Sequence, residues 1–322
     1  MEIAILSARS GWHTDELCRA LTDRGHAGHV LPYEGLVARL GDLSRPVARA
    51  EDDEAGAAPV LAAARLTNAR RSLLDADAVL ARIIPAGSLE QIIYRVDALH
   101  WIERRGVVVM NSPRAIERTV DKFYTDSLLR DAGLPTPETV VCDSLDEAMA
   151  AVRSMGDVVI KPIFGSMGHG LVRVTDPDLA YRVLRPLEQM KAVFYVQRAL
   201  DHGGRDWRVF VVGGEAIGAI ERQAPPGEWR SNVSRGGSAR RIDVSPERAR
   251  LAVRAAAAVG AAYAGVDLLP SRDGGVFVLE VNGIPGWQGL QQTTRLDVAG
   301  AIVDHLVERV QQRKASSSEQ PA

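Results

Sequence analysis

Over the first 113 residues, short apolar runs alternate with stretches whose apolar positions recur at helical spacing. Strands are predicted over residues 3–6, near 29–31, over 78–84 and over 107–110. A helix is predicted over 14–24, closed by Gly25, and a second runs from Ser88, its N-cap, to residue 105. This alternation predicts a small parallel α/β sheet. Between residues 40 and 71 the pattern fades and the run Glu51-Asp52-Asp53-Glu54 appears, which reads as a partly mobile surface insertion. An amphipathic helix is predicted over 298–312, followed by a disordered tail over 316–322.

The most informative pattern lies near the C-terminus. Val266-Asp267-Leu268-Leu269 and Phe277-Val278-Leu279-Glu280-Val281-Asn282 read as two adjacent strands around a Ser-Arg-Asp-Gly-Gly turn. A period of two puts Glu280 and Asn282 on one face, and Asp267 joins them if the strands pair. Two carboxylates and a carboxamide on one face are hard oxygen donors suited to Mg²⁺, an ion that commonly accompanies nucleotide phosphates. The alternative is an ordinary hairpin with a wet polar face.

A second signal lies upstream. The strand Asp157-Val158-Val159-Ile160-Lys161 ends in a lysine and leads into Gly165-Ser166-Met167-Gly168-His169-Gly170, then into a further strand over 171–174. Glycines let backbone N–H groups approach phosphate closely, and a lysine at a strand end supplies a point charge. The spacing is neither that of a P-loop nor that of a dinucleotide fingerprint. Alone it is weak; beside the carboxylate strands it gains weight.

Together these segments resemble the ATP-grasp superfamily and, within it, the RimK-type α-L-glutamate ligases. The likeness runs nearly end to end, through Thr119-Val120-Asp121-Lys122, Asp206-Trp207-Arg208-Val209, Ala219-Ile220-Glu221-Arg222, Trp229-Arg230-Ser231-Asn232 and Ser234-Arg235-Gly236-Gly237. The resemblance implies an α/β (α+β) ATP-grasp fold. An N-terminal α/β domain (1–113) would precede two ATP-clamping subdomains (114–195 and 196–313) and a flexible tail (314–322).

The family's site residues carry over by position. Lys122 and Lys161 match the nucleotide-phosphate lysines, with Gly165, Ser166 and Gly168 in the glycine loop and Gln197, Arg198 and Ala199 at the adenine hinge. Asp206, Arg230, Ser231 and Asn232 match further nucleotide contacts. Arg222 matches the arginine that steadies an acyl-phosphate, with Arg235 as a second catalytic arginine, and Asp267, Glu280 and Asn282 match the Mg²⁺ ligands. The hinge departs from the usual Val-Gln-Glu, reading Val196-Gln197-Arg198, and Asn282-Gly283-Ile284-Pro285-Gly286 departs from the usual Asn-Ala-Ser-Pro-Gly. The implied cofactors are ATP and Mg²⁺, as two ions, with Mn²⁺ able to substitute.

A formal net charge of −2 leaves no electrostatic footprint for nucleic acid or an anionic membrane. Two cysteines, Cys18 and Cys142, make no metal pattern and read as buried small hydrophobes in a reducing cytoplasm. No run reaches the roughly 20 apolar residues of a membrane span, and the chain enters a strand without a signal peptide. The expected partners are L-glutamate and a carboxylate-bearing small-molecule acceptor, in a homo-oligomer (dimer or tetramer). Segments such as Ile84-Pro85-Ala86-Gly87-Ser88-Leu89-Glu90-Gln91 look closest to the ATP-grasp proteins of methanopterin- and methanofuran-dependent one-carbon metabolism. Glutamylation of such a cofactor or its precursor is the expectation. A ribosomal-protein C-terminus as acceptor, or an inactive ATP-binding regulatory module, are the alternatives.

Overall fold

The computed structural model describes residues 1–40, 64–68, 71–165, 170–231 and 236–318. These divide into two compact units, one of residues 1–114 with 297–322, the other of residues 115–296.

The first unit is built from β1 (Glu2–Leu6), α1 (Trp12–Thr22), β2 (Ala27–Leu31), β3 (Leu36–Leu40), β4 (Ala64–Asn68), β5 (Arg71–Ser72), β6 (Ala78–Ala81), α2 (Leu89–Arg104) and β7 (Val108–Met110). Strands in the order β2-β1-β6-β7 form the expected parallel sheet. The strand expected over 78–84 stops at Ala81, and the first helix ends two residues early, at Thr22, with Gly25 at φ 74° in the turn beyond. Ser88 caps α2, accepting a hydrogen bond from the Gln91 backbone N–H while the Gln91 side chain accepts from the Ser88 N–H. The two ends of the fading stretch are ordered, since β3, β4 and β5 pair antiparallel; Glu51-Asp52-Asp53-Glu54 lies outside the described residues.

The helix Val298–Ser318 belongs to this first unit, packing on α1, although the sequence placed it with the metal strands. Asp297, at its start, accepts from Arg19 at 2.6 Å, and Asp304 accepts from Arg24, so the helix is tied to the N-terminal sheet layer. The helix extends through Ser318, so residues 316–318 are helical rather than disordered; 319–322 lie outside the described residues.

The second unit begins within α3 (Pro113–Val120), which leads into α4 (Lys122–Asp131). It continues through β8 (Thr139–Cys142), α5 (Leu145–Met155), β9 (Val158–Lys161), β10 (Val172–Val174), α6 (Pro177–Gln189) and β11 (Phe194–Arg198). These strands make an antiparallel sheet, β10-β9-β11-β8. Val158, Ile160, Val174, Phe194 and Val196 of that sheet bury against α5 and α6. Alternation then turns Lys161 and Gln197 to the opposite face.

The chain proceeds through β12 (Arg205–Val212), β13 (Glu215–Gln223), β14 (Ser238–Ile242), α7 (Pro246–Val259), β15 (Tyr263–Pro270), β16 (Val276–Asn282) and α8 (Gln288–Thr294) to the last helix, α9. A five-stranded antiparallel sheet results, ordered β14-β13-β12-β15-β16. One face, with Trp207, Val209, Val211, Val266, Leu268, Val278 and Val281, packs on the alanine-rich α7. Cys18 and Cys142 are free and half-buried, less enclosed than expected.

Candidate active site

The chemistry-bearing residues gather on the sheet face opposite α7. Period-two alternation along β12 sends Trp207 and Val209 into the core and Asp206 and Arg208 to the other side. Register supplies the rest: Asp206 lies opposite Arg222 of β13, Arg208 opposite Asp267 of β15, and Asp267 opposite Glu280 of β16. A bulge makes this possible. Val278 pairs with Leu268 and Glu280 with Asp267, so Leu279 is the extra residue. Val278 therefore enters the core while Glu280, at the same parity, faces the site.

The charged groups interlock. Arg222 donates to both oxygens of Asp206, at 2.6 and 2.7 Å, and its Nη2 lies 2.9 Å from Asp267 Oδ2. Arg208 grips Asp267 with two parallel bonds of 2.7 Å. Ser231 Oγ donates to Asp206 Oδ2 at 2.5 Å. Burial works against the Asp267 charge, but the Arg208 and Arg222 guanidiniums outweigh it and hold its carboxyl down at about 2. Glu280 moves the other way: burial, then the neighbouring Asp267 charge, push its pKa up. Asn282 Nδ2 donates to the Gly265 carbonyl at 3.2 Å, which turns its oxygen into the free donor atom of that amide.

Both lysines join this neighbourhood. Lys161, at the end of β9, donates to Gln197 Oε1 at 2.6 Å, and Gln197 Nε2 in turn donates to Thr139 Oγ1. Burial lowers the Lys161 pKa to about 8, Glu280 raises it and the Lys122 charge lowers it again. Asp121 caps α4 by accepting from the Tyr124 N–H, which sets Lys122 at the helix start. Lys122 Nζ donates to the carbonyls of Ile163 and Gly165, at 3.2 and 2.8 Å. Burial lowers its pKa and the Glu280 charge raises it, so the two lysines and Glu280 share one electrostatic field.

Other candidates are placed differently. Arg198 turns away from the Lys161 face; it pairs with Glu138 and donates to the Met155 carbonyl at 2.9 Å. The backbone N–H groups of Arg198 and Ala199 are already bonded, to the carbonyls of Glu138 and Asp157. Arg230 is paired with Glu228 at 2.7 Å rather than with the carboxylate row. Ser166, Gly168, Asn232 and Arg235 lie outside the described residues. The charge cluster from Arg205 to Arg208 on an otherwise apolar strand marks a site in the sequence, but it gives Arg208 no role of its own. Sequence reading gave no hint of a cleft of about 840 Å³, lined by residues that include His202, Gly204, Gln223, Pro225 and Trp229.

A RimK-like ATP-grasp domain model matches residues 119–306, more than half of the chain. The chain belongs to the RimK-like ATP-grasp family. It is 38% identical over 261 residues to the tetrahydromethanopterin:alpha-L-glutamate ligase of Methanosarcina acetivorans, covering 73% of this chain and 81% of that protein. A probable alpha-L-glutamate ligase of Trichodesmium erythraeum is 33% identical over 310 residues, covering 95% and 96%. Among solved structures, the ATP-grasp ligase PsnB complexed with a precursor variant, Mg and ADP superposes with a TM-score of 0.69 at 23% identity, covering 95% of this chain and 98% of that one. That likeness speaks for the fold.

Family membership makes the protein an ATP-dependent ligase that forms an amide bond and uses a divalent metal. The donor set fits such an ion: two facing carboxylates and an amide oxygen, all hard ligands. Among the described residues, no three His, Cys, Asp or Glu side chains form a metal-binding group. Gly283, where the family usually carries alanine, sits against the Thr119 side chain. A Cβ at Gly283 would come 2.4 Å from Thr119 Oγ1. Among the described residues no helix is long and apolar enough to cross a membrane.

Proposed function

We propose that this RimK-like ligase adds L-glutamate to a carboxylate of a one-carbon cofactor of the tetrahydromethanopterin or methanofuran type, or of its precursor. The observation that carries the reading is the 38% identity with the methanogen enzyme named for that reaction. In the reaction, the γ-phosphoryl of ATP passes to the acceptor carboxylate. The glutamate amine then displaces phosphate from the acyl-phosphate, leaving an amide, ADP and phosphate.

The roles assigned to the site residues follow from this reading. Lys122 and Lys161 place positive charge where the phosphates move, without reorganising at the moment of transfer. Gly165, Ser166 and Gly168 are assigned to the phosphates, and Gln197, Arg198, Ala199, Asp206, Arg230, Ser231 and Asn232 to the rest of the nucleotide. For Arg198 the contact is through the backbone carbonyl, since both its side chain and its N–H are spent on Glu138. Asp267, Glu280 and Asn282 would hold Mg²⁺, as two ions, with Mn²⁺ as a substitute, and the ions would supply charge neutralisation at the phosphates. Arg222, whose rigid fork already spans two carboxylates, binds the acyl-phosphate oxygens, with Arg235 as its partner. Residues 114–195 and 196–313, the latter without its final helix α9, act as the two clamping halves. The protein works in the cytoplasm as a dimer or tetramer.

The test is an acceptor screen. With L-glutamate and Mg²⁺–ATP constant, pterin, furan and peptide acceptors are offered and product masses are read. The reading requires a gain of one or more glutamyl residues on a pterin or furan acceptor, with stoichiometric phosphate release. Modification of the peptide alone would move the assignment to the peptide class that the solved neighbours bind. Phosphate release independent of both acceptor and glutamate would end the ligase reading for this chain.

A further inference from the structure

We infer that Arg208 is an internal counter-ion that competes with the divalent metal for Asp267, so that metal entry requires the Arg208 guanidinium to let go. The inference rests on reading Asp267 as a metal ligand. Both Asp267 oxygens are already committed: Oδ1 accepts from Arg208 Nε, and Oδ2 from Arg208 Nη2 with Arg222 Nη2 beside it. Oδ2 already faces two guanidinium N–H groups, so a cation bound there at roughly 2.1 Å must displace one of them; a cation on the remaining lone pair of Oδ1 would sit against Arg208 Nε as a like charge and repel it.

The two arginines are not equally able to leave. Arg222 is held on two sides: it grips Asp206 with a second pair of bonds, Ser231 reinforces that carboxylate, and only 5% of the Arg222 side chain is exposed. Arg208 has its described hydrogen bonds to Asp267 only, and its side chain is 20% exposed against 5% for Asp267. Its stem runs along Gly265: a Cβ there would lie 3.5 Å from Arg208 Cδ and 3.1 Å from Pro285 Cβ.

Arg208 is therefore a positioning residue. It keeps Asp267 ionised and oriented while no metal is bound, and yields when a doubly charged ion arrives. Released, it adds a mobile positive charge beside Arg222, coupled to metal loading.

Two readouts test this without turnover. The first is Mn²⁺ binding to the full-length protein, followed by electron paramagnetic resonance of the free aqua ion, for wild type, Arg208→Met and Arg208→Lys. Removing the competitor should tighten Mn²⁺ binding roughly tenfold or more in Arg208→Met, with Arg208→Lys in between, as expected for coupling between close charges. The second follows arginine Nε–H resonances of the wild type by NMR, with Arg208→Lys identifying the Arg208 signal. Saturating Mg²⁺ should abolish the exchange protection of Arg208 Nε–H and leave that of Arg222. Protection of both at metal saturation, or Mn²⁺ affinity in Arg208→Met no higher than in wild type, overturns the inference. Asp267→Asn separates the two levels. If it leaves Mn²⁺ binding unchanged, the metal reading of this strand falls and the exchange falls with it.

Discussion

On its α7 side, the five-stranded sheet carries Trp207, whose Nε1 donates to Glu221 at 3.0 Å, while Arg248 stacks 3.6 Å from the indole centre and Arg240 pairs with Glu221. On its other side the same two strands carry Asp206, Arg208 and Arg222. The residue types match, but the surroundings do not. Arg240 is 70% exposed, so its pair with Glu221 is screened by water and worth at most about 1 kcal/mol. Arg222 and Asp267 are each 5% exposed, so their pairing is compensation for charges that could not otherwise be buried. A charge row that contributes little net stability yet is kept enclosed points to chemistry rather than to the fold.

The comparison breaks most visibly at Glu280. Glu280→Gln keeps the shape and removes a negative charge from the proposed metal site; turnover should fall by about 10²–10³-fold, on the order of what losing one preorganised charge costs. Circular dichroism should be unchanged. A variant with near-normal turnover and unaltered Mg²⁺ dependence would take β16 out of the site, and Asn282→Ala should act in the same direction.

Arg222→Ala should cost stability as well as rate. It leaves Asp206 and Asp267 short of a partner, a defect worth about 3–5 kcal/mol in chemical denaturation, while amide formation drops by roughly 10²–10³ with Mg²⁺–ATP affinity less affected. Equal losses in affinity and turnover would make it an ordinary phosphate ligand.

A smaller effect concerns pH. Burial depresses Lys161 to about 8, below an ordinary lysine, so its charge is present below pH 8 and is lost above it. Nucleotide affinity should accordingly decline above pH 8, by up to about tenfold per unit where only the protonated form binds. Calorimetric titration from pH 7 to 9.5 checks this, and Lys161→Met should bind weakly and without the slope. The smallest effect belongs to the α7 side. Arg240→Ala should change stability by about 1 kcal/mol or less and leave turnover untouched; a tenfold rate loss there would erase the distinction between the faces.

Much of this was legible along the chain because it depends on local periodicity. The parallel strands of the first unit, the Ser88 cap and the Asp267–Glu280 hairpin each follow from spacing and turn chemistry. The helix α9 was misplaced because an apolar stripe states that a helix must bury a face, without stating against what; Arg19 and Arg24 supply the answer from nearly the whole chain length away. Arg198 was legible as a departure, but its direction was not. Whether the side chain enters the nucleotide side depends on the parity of β11 and on Glu138 waiting on the other face.

Sequence alone determined the donor types, the glycine loop and the family, since these reside in residue identity and short spacing. Only the tertiary structure decided which charge neutralises which. The pairing of Asp206 with Arg222 is a register between neighbouring strands, and that of Arg208 with Asp267 joins residues 59 positions apart. The bulge at Leu279 is likewise a property of two strands together, and it alone lets Val278 enter the core while Glu280 faces the site. Coulomb energies depend on distance and burial, neither of which a linear pattern contains.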